Sequence, residues 1–422
     1  MNINRRRFLQ AFGAAAAVSI APTRVRAASA PRVVVVGGGF AGATAAKYLR
    51  MWSDKTIDVT LVDPNVGHTS CVLSNLVLNN QITLQELTMS HGSLSGFYGV
   101  NVIQDRAAEV DGAGKRVRLD DAGWIDYDHL IIATGIEFVD MPGLDFQMTP
   151  HAWIAGPQTS LLANKVNALG PGSTFVMTVP KSPYRCPPGP YERACLVADI
   201  LDRRGFNQGD AKVVVLDANA SIQAEKHTFE KAFNDRYRNI VEYIPNAELL
   251  AVDSAQGRVD TSLGEFHGDV VNVIPQQRAL RFVRDSGLTG SGAWAGVDPL
   301  TYASTEAGFS GVHVIGDSQA SNQPKSAHMA NAQAKVCVDA IIRDLAGVSN
   351  TDPERVANIT TNSACYSPIT IDQASWLTAN FVYDPGTGQM ALKHIGEAEN
   401  WSKGNYEEMF AWASNLFTDS FH

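Results

Sequence analysis

Residues 31–50 read PRVVVVGGGFAGATAAKYLR, and this stretch decides the fold. Arg32–Val36 is a short β-branched apolar run, which predicts a buried strand. Gly37–Gly42 follows at once and matches G-x-G-x-x-G, and Ala43–Arg50 continues as a predicted helix. The glycines allow a tight turn and the close approach of a pyrophosphate, whose charge the N–H groups at the helix N-terminus stabilise. The stretch therefore predicts a dinucleotide site.

An acidic residue stands where such a site needs one. Ile57–Val62 is a second apolar run that predicts a strand, and it leads into Asp63. In dinucleotide-binding folds an acid at the end of the second strand binds a ribose hydroxyl. A glycine-rich turn without a ligand is the alternative interpretation of Gly37–Gly42, and the agreement of strand, helix and acid disfavours it.

The composition is that of an ordinary globular protein. The chain has 422 residues, of which 45% are hydrophobic and 18% charged, so it can form two or three domains. Beyond the N-terminus no apolar run reaches the ~20 residues that cross a bilayer, so no transmembrane segment is expected. The formal net charge of -9 disfavours nucleic acid as a partner and favours a basic protein.

The first 27 residues predict an export signal. Asn4–Gln10 reads NRRRFLQ, a twin-arginine pattern, apolar Ala11–Ile20 follows, and Val25–Ala27 offers a small-residue cleavage site. A basic amphipathic helix kept in the mature protein is the alternative. Twin-arginine export carries folded proteins, often with a cofactor inside. We therefore expect a periplasmic protein that binds its nucleotide before export, in a compartment that permits disulfides.

Two further strand ends fit a dinucleotide site. One apolar strand closes in Thr134-Gly135, similar to the second fingerprint of flavoproteins with two dinucleotide domains. Another closes in Gly316-Asp317, and in that fold the returning strand brings its acid to the ribityl chain of FAD. Ser326–Leu345 then predicts a helix whose N-terminus is aimed at the flavin ring. A plain strand exit and an ordinary helix-cap acid are the alternatives.

A second α/β unit starts near Trp153. Ser173–Val179 predicts a strand, Pro190–Arg204 a helix, and Lys212–Asp217 a strand that ends in an acid. The loop between the first two, residues 180–189, reads PKSPYRCPPG, with one glycine where a phosphate loop needs several. Prolines offer no N–H donors to a phosphate. We infer that this unit kept the fold and lost the nicotinamide site; pyrophosphate binding by another geometry is the alternative.

The chain has five cysteines and no C-x-x-C-H motif, so it attaches no c-type haem itself. The sequence shows no zinc-type spacing, and no metal is expected. Cys195 and Cys337 lie in apolar helical patterns and are predicted to be core thiols. Cys186 follows an arginine and precedes a helix, both of which favour a thiolate, and Cys365 lies in a predicted polar loop. A structural disulfide between the last two and a redox-active one both remain open.

The motifs together resemble the flavoprotein subunit of flavocytochrome c sulfide dehydrogenase, from residue 31 to residue 422. The most specific block is Arg185–Ala194, RCPPGPYERA. The others are Thr69–Asn75 (TSCVLSN), Ile274–Ala279 (IPQQRA), Gly316-Asp317 and Cys365–Ser367 (CYS).

The resemblance implies roles for four residues. Cys71 would carry FAD through a thioether to the 8α-methyl group of the ring. Cys186 and Cys365 would form a redox disulfide above the ring, with Glu192 as the nearby acid/base. The chain reads Ser-Cys-Val at residues 70–72, where Thr-Cys-Tyr is expected, so a free thiol near the ring is the alternative for Cys71. An ordinary first-turn helix acid is the alternative for Glu192.

The resemblance also implies the architecture, which is an α/β fold with two Rossmann-like dinucleotide-binding domains of the FAD/NAD-linked disulfide reductase type. The expected divisions are a signal peptide (1–27), an FAD-binding domain in two parts (31–150 and 286–350), a second Rossmann-like domain (151–285) and a C-terminal α+β interface domain (351–422). The residues expected to bind FAD are Gly37, Gly39, Gly42, Asp63, Cys71, Thr134, Gly135, Gly316 and Asp317.

The implied function is sulfide oxidation. Hydrosulfide would open the disulfide, and FAD would pass the electrons singly to a c-type cytochrome subunit or another small soluble periplasmic redox protein. The main alternative is a sulfide:quinone reductase, although Asn405–His422 lacks the basic face of a membrane-surface helix. An assembly factor that keeps only the fold and a pyridine-nucleotide disulfide reductase are less consistent with the cysteines and the proline-rich loop.

Overall fold

The computed structural model describes residues 30–422. The predicted twin-arginine signal, residues 1–27, lies outside the described residues. The described chain forms two parallel-sheet α/β units followed by an antiparallel sheet with a long helix.

The elements of residues 30–150 begin with the strand and helix that flank the glycine motif. The strands are β1 (Arg32–Val36), β2 (Asp58–Val62), β3 (Gly67–Thr69), β4 (Thr88–Ser90), β5 (Asn101–Ile103), β6 (Ala107–Asp111), β7 (Arg116–Leu119), β8 (Gly123–Asp126), β9 (His129–Ile132) and β10 (Ile136–Phe138). The helices are α1 (Phe40–Trp52) and α2 (Gly92–Gly96), with a 3₁₀ turn at Ser74–Val77.

The second unit has its own strands and helices. The strands are β11 (Thr174–Val179), β12 (Lys212–Asp217), β13 (Val241–Pro245), β14 (Leu249–Asp253), β15 (Arg258–Thr261), β16 (Gly264–His267), β17 (Val270–Asn272) and β18 (Gln277–Ala279). The helices are α3 (Pro157–Asn167), α4 (Gly189–Arg203) and α5 (Lys226–Lys231), with a π turn at Ala232–Arg236 and a 3₁₀ turn at Ser254–Gln256.

The rest of the chain returns to the first unit and then forms the C-terminal layer. The strands are β19 (Val297–Asp298), β20 (Ala303–Ser304), β21 (Val312–Val314), β22 (Thr360–Pro368), β23 (Ala374–Asp384) and β24 (Gln389–Glu397). The helices are α6 (Arg281–Asp285), α7 (Ala327–Leu345), α8 (Pro353–Asn358) and α9 (Lys403–Phe421), with a 3₁₀ turn at Gly316–Ser318.

The central sheet of the first unit has the order β19-β20-β21-β9-β1-β2-β5. β1 pairs in parallel with β2 and with β9, and β21 joins β9 from a distant part of the sequence. Val33–Val36 is buried on both faces, which explains its unbroken apolar sequence. The sheet brings the ends of β1, β9 and β21 to one edge, where parallel sheets bind their ligands.

The second unit is built around the parallel sheet β13-β12-β11-β17, with the proline-rich loop between β11 and α4. The C-terminal layer is the antiparallel sheet β22-β23-β24, against which α7 and α9 pack.

The prediction that Cys365 lies in a polar loop was wrong. The residue lies inside β22, where it pairs with Leu377 of β23. The polar sequence around it forms a strand because a long neighbouring strand satisfies its backbone groups, so tertiary pairing outweighs local composition.

Candidate active site

The glycine motif forms a cradle at the end of β1. Gly37 has φ of +101°, and a Cβ there would lie 2.5 Å from the carbonyl oxygen of Ala133. A Cβ on Gly42 would lie 1.8 Å from the carbonyl oxygen of Gly37, so α1 can approach the strand only without a side chain there. Gly39 caps α1 without any side-chain hydrogen bond, which leaves the first N–H groups of the helix free for a ligand.

Asp63 ties this cradle to β2. Its Oδ2 accepts a hydrogen bond from the Gly38 N–H at 2.6 Å, and its Oδ1 accepts one from the Asn65 N–H at 2.8 Å. The carboxylate thus stands beside the glycine turn, and its contact with a ribose hydroxyl stays a prediction.

The ends of β9 and β21 meet at the same edge. The hydroxyls of Thr134 and Ser318 lie 3.2 Å apart, and Ser318 also donates to the carbonyl oxygen of Gly135 at 2.6 Å. Asp317 lies immediately before Ser318, and its Oδ1 is buried without a hydrogen-bond partner among the described residues. Burial raises the pKa of Asp317, and the charges of Arg185 and Lys325 act against that rise.

These features fit the predicted FAD. A buried carboxylate oxygen without a partner is costly unless a further group donates to it, and a ribityl hydroxyl would do so. The cradle of Gly37–Gly42 and the free N–H groups of α1 suit a pyrophosphate. The N-terminus of α7, which Ser326 caps through the Met329 N–H at 3.1 Å, lies on the same side of the molecule and lines the pocket described next.

Three cysteines line one pocket. Cys71, Cys186 and Cys365, far apart in sequence, lie around it together with Glu192 and Arg185. They come from the turn after β3, the loop before α4, and β22. All three are thiols in the structure, whereas Cys195 and Cys337 are fully buried elsewhere, as predicted. The pocket therefore brings together every residue to which the sequence assigned redox chemistry.

Cys186 is held by backbone contacts. It has φ of +59°, and its N–H donates to the carbonyl oxygen of Lys325 at 2.8 Å. A Cβ on Gly189 would lie 2.9 Å from the Cys186 sulfur, so this glycine makes room for it. Such positive φ on a non-glycine residue is uncommon and costs energy, which the surrounding contacts offset.

The sequence predicted that the surroundings of Cys186 favour its thiolate. For the free thiol in this structure, that prediction was wrong. Burial raises its pKa well above the ordinary value, and Cys365 and Glu192 add to the rise. Arg185 opposes it but is the weakest of these influences. Desolvation of a charged sulfur outweighs one nearby cation in a closed pocket.

Glu192 lies in the first turn of α4 and is buried. Its Oε1 accepts a hydrogen bond from the Asn75 side-chain amide at 2.9 Å. Burial raises its pKa to about 8, with a further rise from Glu225, while Asn75 and Arg193 act in the opposite direction. A carboxyl of this kind holds its proton at neutral pH and can exchange it with a nearby sulfur.

Two buried cations were missed by the sequence analysis. The guanidinium of Arg193 donates to Asn75 Oδ1 at 3.0 Å and to Asn272 Oδ1 at 2.9 Å. Lys325 donates to the carbonyl oxygen of Asp317 at 2.8 Å and lies 3.8 Å from the ring centre of Trp294, and burial lowers its pKa to about 8. Arg193 stands in the quoted motif block and could have been found there, whereas nothing local marks Lys325.

The acid at the end of β12 in the second unit is satisfied by protein groups. Asp217, at the end of β12, is fully buried, and its Oδ2 accepts hydrogen bonds from the hydroxyls of Tyr191 at 2.7 Å and Tyr243 at 2.8 Å. Its Oδ1 accepts two more from Asn219. The acid that would bind a ribose is therefore used internally, and Tyr191 occupies the first turn of α4.

Residues 30–422 contain neither a metal-binding cluster nor a membrane-spanning helix. No cluster of three or more histidine, cysteine or acidic side chains is arranged to hold a metal ion there. Within the same residues, no helix has the length and apolar character needed to cross a bilayer.

Two family models match parts of the chain. The model described as the central part of the sulfide dehydrogenase [flavocytochrome c] flavoprotein chain matches residues 159–275, and that of pyridine nucleotide-disulphide oxidoreductase matches residues 31–156. The flavoprotein chain of sulfide dehydrogenase [flavocytochrome c] from Chlorobaculum thiosulfatiphilum is 59% identical over 46 residues, which are 11% of this chain and 94% of that sequence.

Longer similarities are lower in identity. A mitochondrial sulfide:quinone oxidoreductase of Dictyostelium discoideum is 22% identical over 334 residues, which are 75% of this chain and 72% of that protein. Among solved structures, the sulfide:quinone oxidoreductase of Aquifex aeolicus has a TM-score of 0.77 at 17% identity, covering 93% of this chain and 91% of that one. Putidaredoxin reductase, in its complex with putidaredoxin, has a TM-score of 0.59. The predicted fold class is confirmed.

Proposed function

Since this chain belongs to the flavoprotein family of flavocytochrome c sulfide dehydrogenase, we propose that it oxidises hydrosulfide through Cys186 and Cys365 and delivers the electrons to a c-type cytochrome. It is an FAD-binding oxidoreductase of the sulfide-oxidising flavoproteins. The single observation that carries the proposal is the pocket shared by Cys71, Cys186 and Cys365.

The chemistry of the pocket begins with a disulfide between Cys186 and Cys365. Hydrosulfide attacks one of these sulfurs; the old disulfide bond breaks and a new S–S bond forms to the incoming sulfur. The attacked cysteine becomes a persulfide, and the other leaves as a thiolate that holds the electron pair. FAD, when bound, accepts an electron pair and releases electrons one at a time. A second hydrosulfide removes the sulfane sulfur from the persulfide as hydrogen disulfide, which leaves both cysteines reduced. Cys186 and Cys365 then re-form their disulfide, and the electron pair that they lose is the pair that FAD would accept.

Two pocket residues support this chemistry. Arg185 is a cation that lines the pocket, so it attracts the hydrosulfide anion. Glu192, with a pKa raised to about 8 by burial, holds a proton at neutral pH and supplies it to the sulfur of Cys186 when that sulfur leaves.

Cys71 is proposed to hold FAD through a thioether. It lines the pocket beside the other two cysteines and lies in the turn that follows β3, near the Asp317 end of the dinucleotide cleft. Burial raises the pKa of this thiol, and the charge of Arg185 acts in the opposite direction.

The proposal also names an electron acceptor, a c-type cytochrome, and a cellular compartment, the periplasm. The twin-arginine pattern supports the periplasm, where c-type cytochromes work, and the negative net charge supports a basic partner. The alternative acceptor is a quinone, and the similarity to sulfide:quinone oxidoreductases favours it. The helix α9, where a membrane-binding face is expected, carries Lys403 as its first residue and then Glu407, Glu408 and Asp419. That charge pattern disfavours an anionic membrane surface.

The test is stopped-flow reduction of the bound flavin by sulfide, followed by reoxidation. Cys186→Ser and Cys365→Ser should each reduce the flavin at least a hundredfold more slowly than wild type, because serine cannot form the disulfide or the persulfide. Cys195→Ala removes a buried thiol from α4 that does not line the pocket, and it should keep the wild-type rate.

Reoxidation separates the two acceptors. A c-type cytochrome should reoxidise the reduced protein faster than a short-chain quinone, and added salt should slow that step because the partners attract each other by charge. Reduction by sulfide that persists in both serine variants contradicts the disulfide route. Faster reoxidation by quinone than by every cytochrome tried assigns the protein to the alternative.

A further inference from the structure

A second buried glutamate lies behind the cysteine pocket. Glu225 stands immediately before α5, is fully buried, and has φ of +48°. Its Oε2 accepts a hydrogen bond from the hydroxyl of Ser367 at 2.5 Å, whereas its Oε1 satisfies no hydrogen-bond geometry with the described residues. A buried carboxyl in an uncommon backbone conformation is expensive, and such cost is typical of functional positions.

The partner of this carboxyl shares a strand with Cys365. Side chains two residues apart on a strand point to the same face. Cys365 and Ser367 therefore lie side by side on β22, with their Cα atoms about 7 Å apart. Ser363, two residues earlier, continues the row, and its hydroxyl lies 2.7 Å from that of Ser326, which caps α7. The row leads from the pocket, which Cys365 lines, to Glu225, which does not line it.

No cation compensates Glu225. None of the ion pairs among residues 30–422 includes it, whereas Glu192 has Arg193 beside it. The titratable groups around it are two carboxyls and two thiols: Glu192, Glu397, Cys195 and Cys365. The hydroxyl of Ser367 donates to its carboxylate and favours the charged form. Burial raises the pKa of Glu225 to about 7, so much of it is neutral near neutral pH.

Besides burial, Glu225 raises the pKa of the Cys365 thiol. Burial raises the pKa of this thiol to about 12, and Glu225 adds more to that rise than Glu192 does. Glu192 acts on Cys186 as well, whereas Glu225 is not among the groups that shift the pKa of Cys186. Glu225 is therefore the carboxyl that distinguishes Cys365 from Cys186. Burial disfavours a charged sulfur, so Cys365 leaves more readily as a thiol than as a thiolate, and this requires a proton.

We propose that Glu225 is a positioning residue that supplies, through the hydroxyl of Ser367 and a bridging water, the proton that the sulfur of Cys365 needs whenever it is the leaving group. This inference rests on the proposed function, because it assumes that the Cys186–Cys365 pair opens and closes during turnover. It deepens that function by separating the proton supply of the two sulfurs.

The step balances whichever sulfur is attacked. If hydrosulfide attacks Cys186, the disulfide bond breaks, Cys186 becomes the persulfide, Cys365 becomes a thiol, and the carboxyl of Glu225 becomes a carboxylate. If hydrosulfide attacks Cys365, that residue becomes the persulfide and leaves one step later. A second hydrosulfide then takes the sulfane sulfur as hydrogen disulfide, HSSH, and the same proton converts Cys365 to its thiol. Solvent protons reload Glu225 in both cases.

The experiment compares wild type with Glu225→Gln. In the reduced holoprotein at pH 8, iodoacetamide modification is followed separately at Cys365 and Cys186 by peptide mass spectrometry. Removing the negative charge should lower the pKa of the Cys365 thiol, and each unit makes its modification about tenfold faster. Modification of Cys186 should not change. Flavin reduction at constant hydrosulfide concentration should become at least tenfold slower below pH 7 and lose the decline that wild type shows as pH rises through about 7.

Two further variants complete the test. Glu230→Gln removes an exposed acid from α5 and should match wild type in both measurements. Ser367→Ala keeps the charge of Glu225 but removes the hydroxyl that the proposed route needs. It should therefore keep the wild-type modification of Cys365 and still slow flavin reduction, and it also serves if Glu225→Gln does not fold.

The inference is overturned if Glu225→Gln leaves Cys365 modification unchanged, or if Ser367→Ala reduces its flavin at the wild-type rate. Failure of the proposed function is distinguished from this result, because it requires that the serine variants of both cysteines still react with sulfide.

Discussion

Cys186, Cys365 and Glu192 share a pocket in which burial disfavours every charged form. It raises the pKa of both thiols and of the carboxyl. The positive charge of Arg185 offsets part of this rise for Cys186, and that of Arg193 offsets part of it for Glu192. Proton supply rather than thiolate stability should therefore limit chemistry at these sulfurs. Two predictions belong to single residues.

Glu192→Gln should flatten the dependence of thermal stability on pH. The pKa of Glu192 is about 8 in the folded protein and about 4.5 when unfolded, so between these values the folded state holds a proton that the unfolded state has lost. Wild-type stability should therefore fall as pH rises from about 5 to about 8, since ionisation favours unfolding. Calorimetric melting midpoints across this range should fall less in the variant. Glu248→Gln, at an exposed acid, is the control, and an equally steep fall in Glu192→Gln contradicts the assignment.

Cys71→Ser should release the flavin. If the thioether exists, wild-type flavin stays with the polypeptide after denaturation and acid precipitation, because the bond to sulfur survives both. The variant should leave its flavin in the supernatant, where absorbance measures it. Cys337→Ala, which removes a buried thiol from α7, should retain it. Free flavin in the wild-type supernatant would refute the covalent link.

At the scale of elements, α9 is fastened to the dinucleotide helix α1. Lys47 of α1 donates to the carbonyl oxygens of Thr418 and Asp419, each at 3.0 Å, near the C-terminal end of α9. A cation at these carbonyls also stabilises the helix dipole. Phe421 packs on Phe40 and stacks with His68, with ring centres 5.3 and 5.6 Å apart. The C-terminal layer therefore supports the helix that carries the glycine cradle.

Phe421→Ala should destabilise the protein by about 3–5 kcal/mol, because it opens a cavity between α9 and α1. We expect the lower stability in urea unfolding, together with faster loss of noncovalently held flavin when the same change is made in Cys71→Ser. Phe410→Ala changes a largely exposed aromatic residue of the same helix and should have a small effect. Equal effects of the two substitutions would contradict a specific contact between α9 and α1.

At the scale of the whole molecule, two similar α/β units have different roles. The first keeps the glycine cradle and an unpartnered acid at the sheet edge. In the second, Tyr191 and Tyr243 satisfy Asp217, and the loop before α4 carries Cys186 in place of phosphate-binding glycines. The second unit thus supplies a cysteine and a carboxyl to the pocket, and we expect the electrons to come from a substrate other than a nicotinamide.

NADH and NADPH should not reduce the flavin. Mixing the oxidised protein anaerobically with either nucleotide should leave the flavin absorbance unchanged, whereas sulfide should bleach it. Rapid stoichiometric bleaching by a nicotinamide would show that a second dinucleotide site survives. A double variant, Tyr191→Phe with Tyr243→Phe, tests which feature prevents nicotinamide binding. It frees Asp217 of both hydroxyls, but it should not restore binding of NADH or NADPH, because the proline-rich loop still lacks N–H donors.

The local elements of this protein could be predicted from the amino-acid sequence alone. β1, the glycine turn and α1 follow from residues 32–50, because strand propensity, turn geometry and helix start act over a few neighbours. Motif blocks also indicated Cys71, Cys186, Cys365 and Glu192, and the comparisons confirm the family that those blocks suggested.

Which of these residues share a pocket, and how they ionise, depends on contacts between distant parts of the chain and could not be predicted locally. Cys365 lies in β22 because β23 pairs with it, and Glu225 is fully buried behind that strand although its neighbourhood in sequence is polar. The Cys186 thiolate was mispredicted for the same reason: a neighbouring arginine can be read from the sequence, but the loss of solvent cannot. Burial and pairing depend on residues that are distant in the chain, and desolvation then exceeds the local electrostatic preferences.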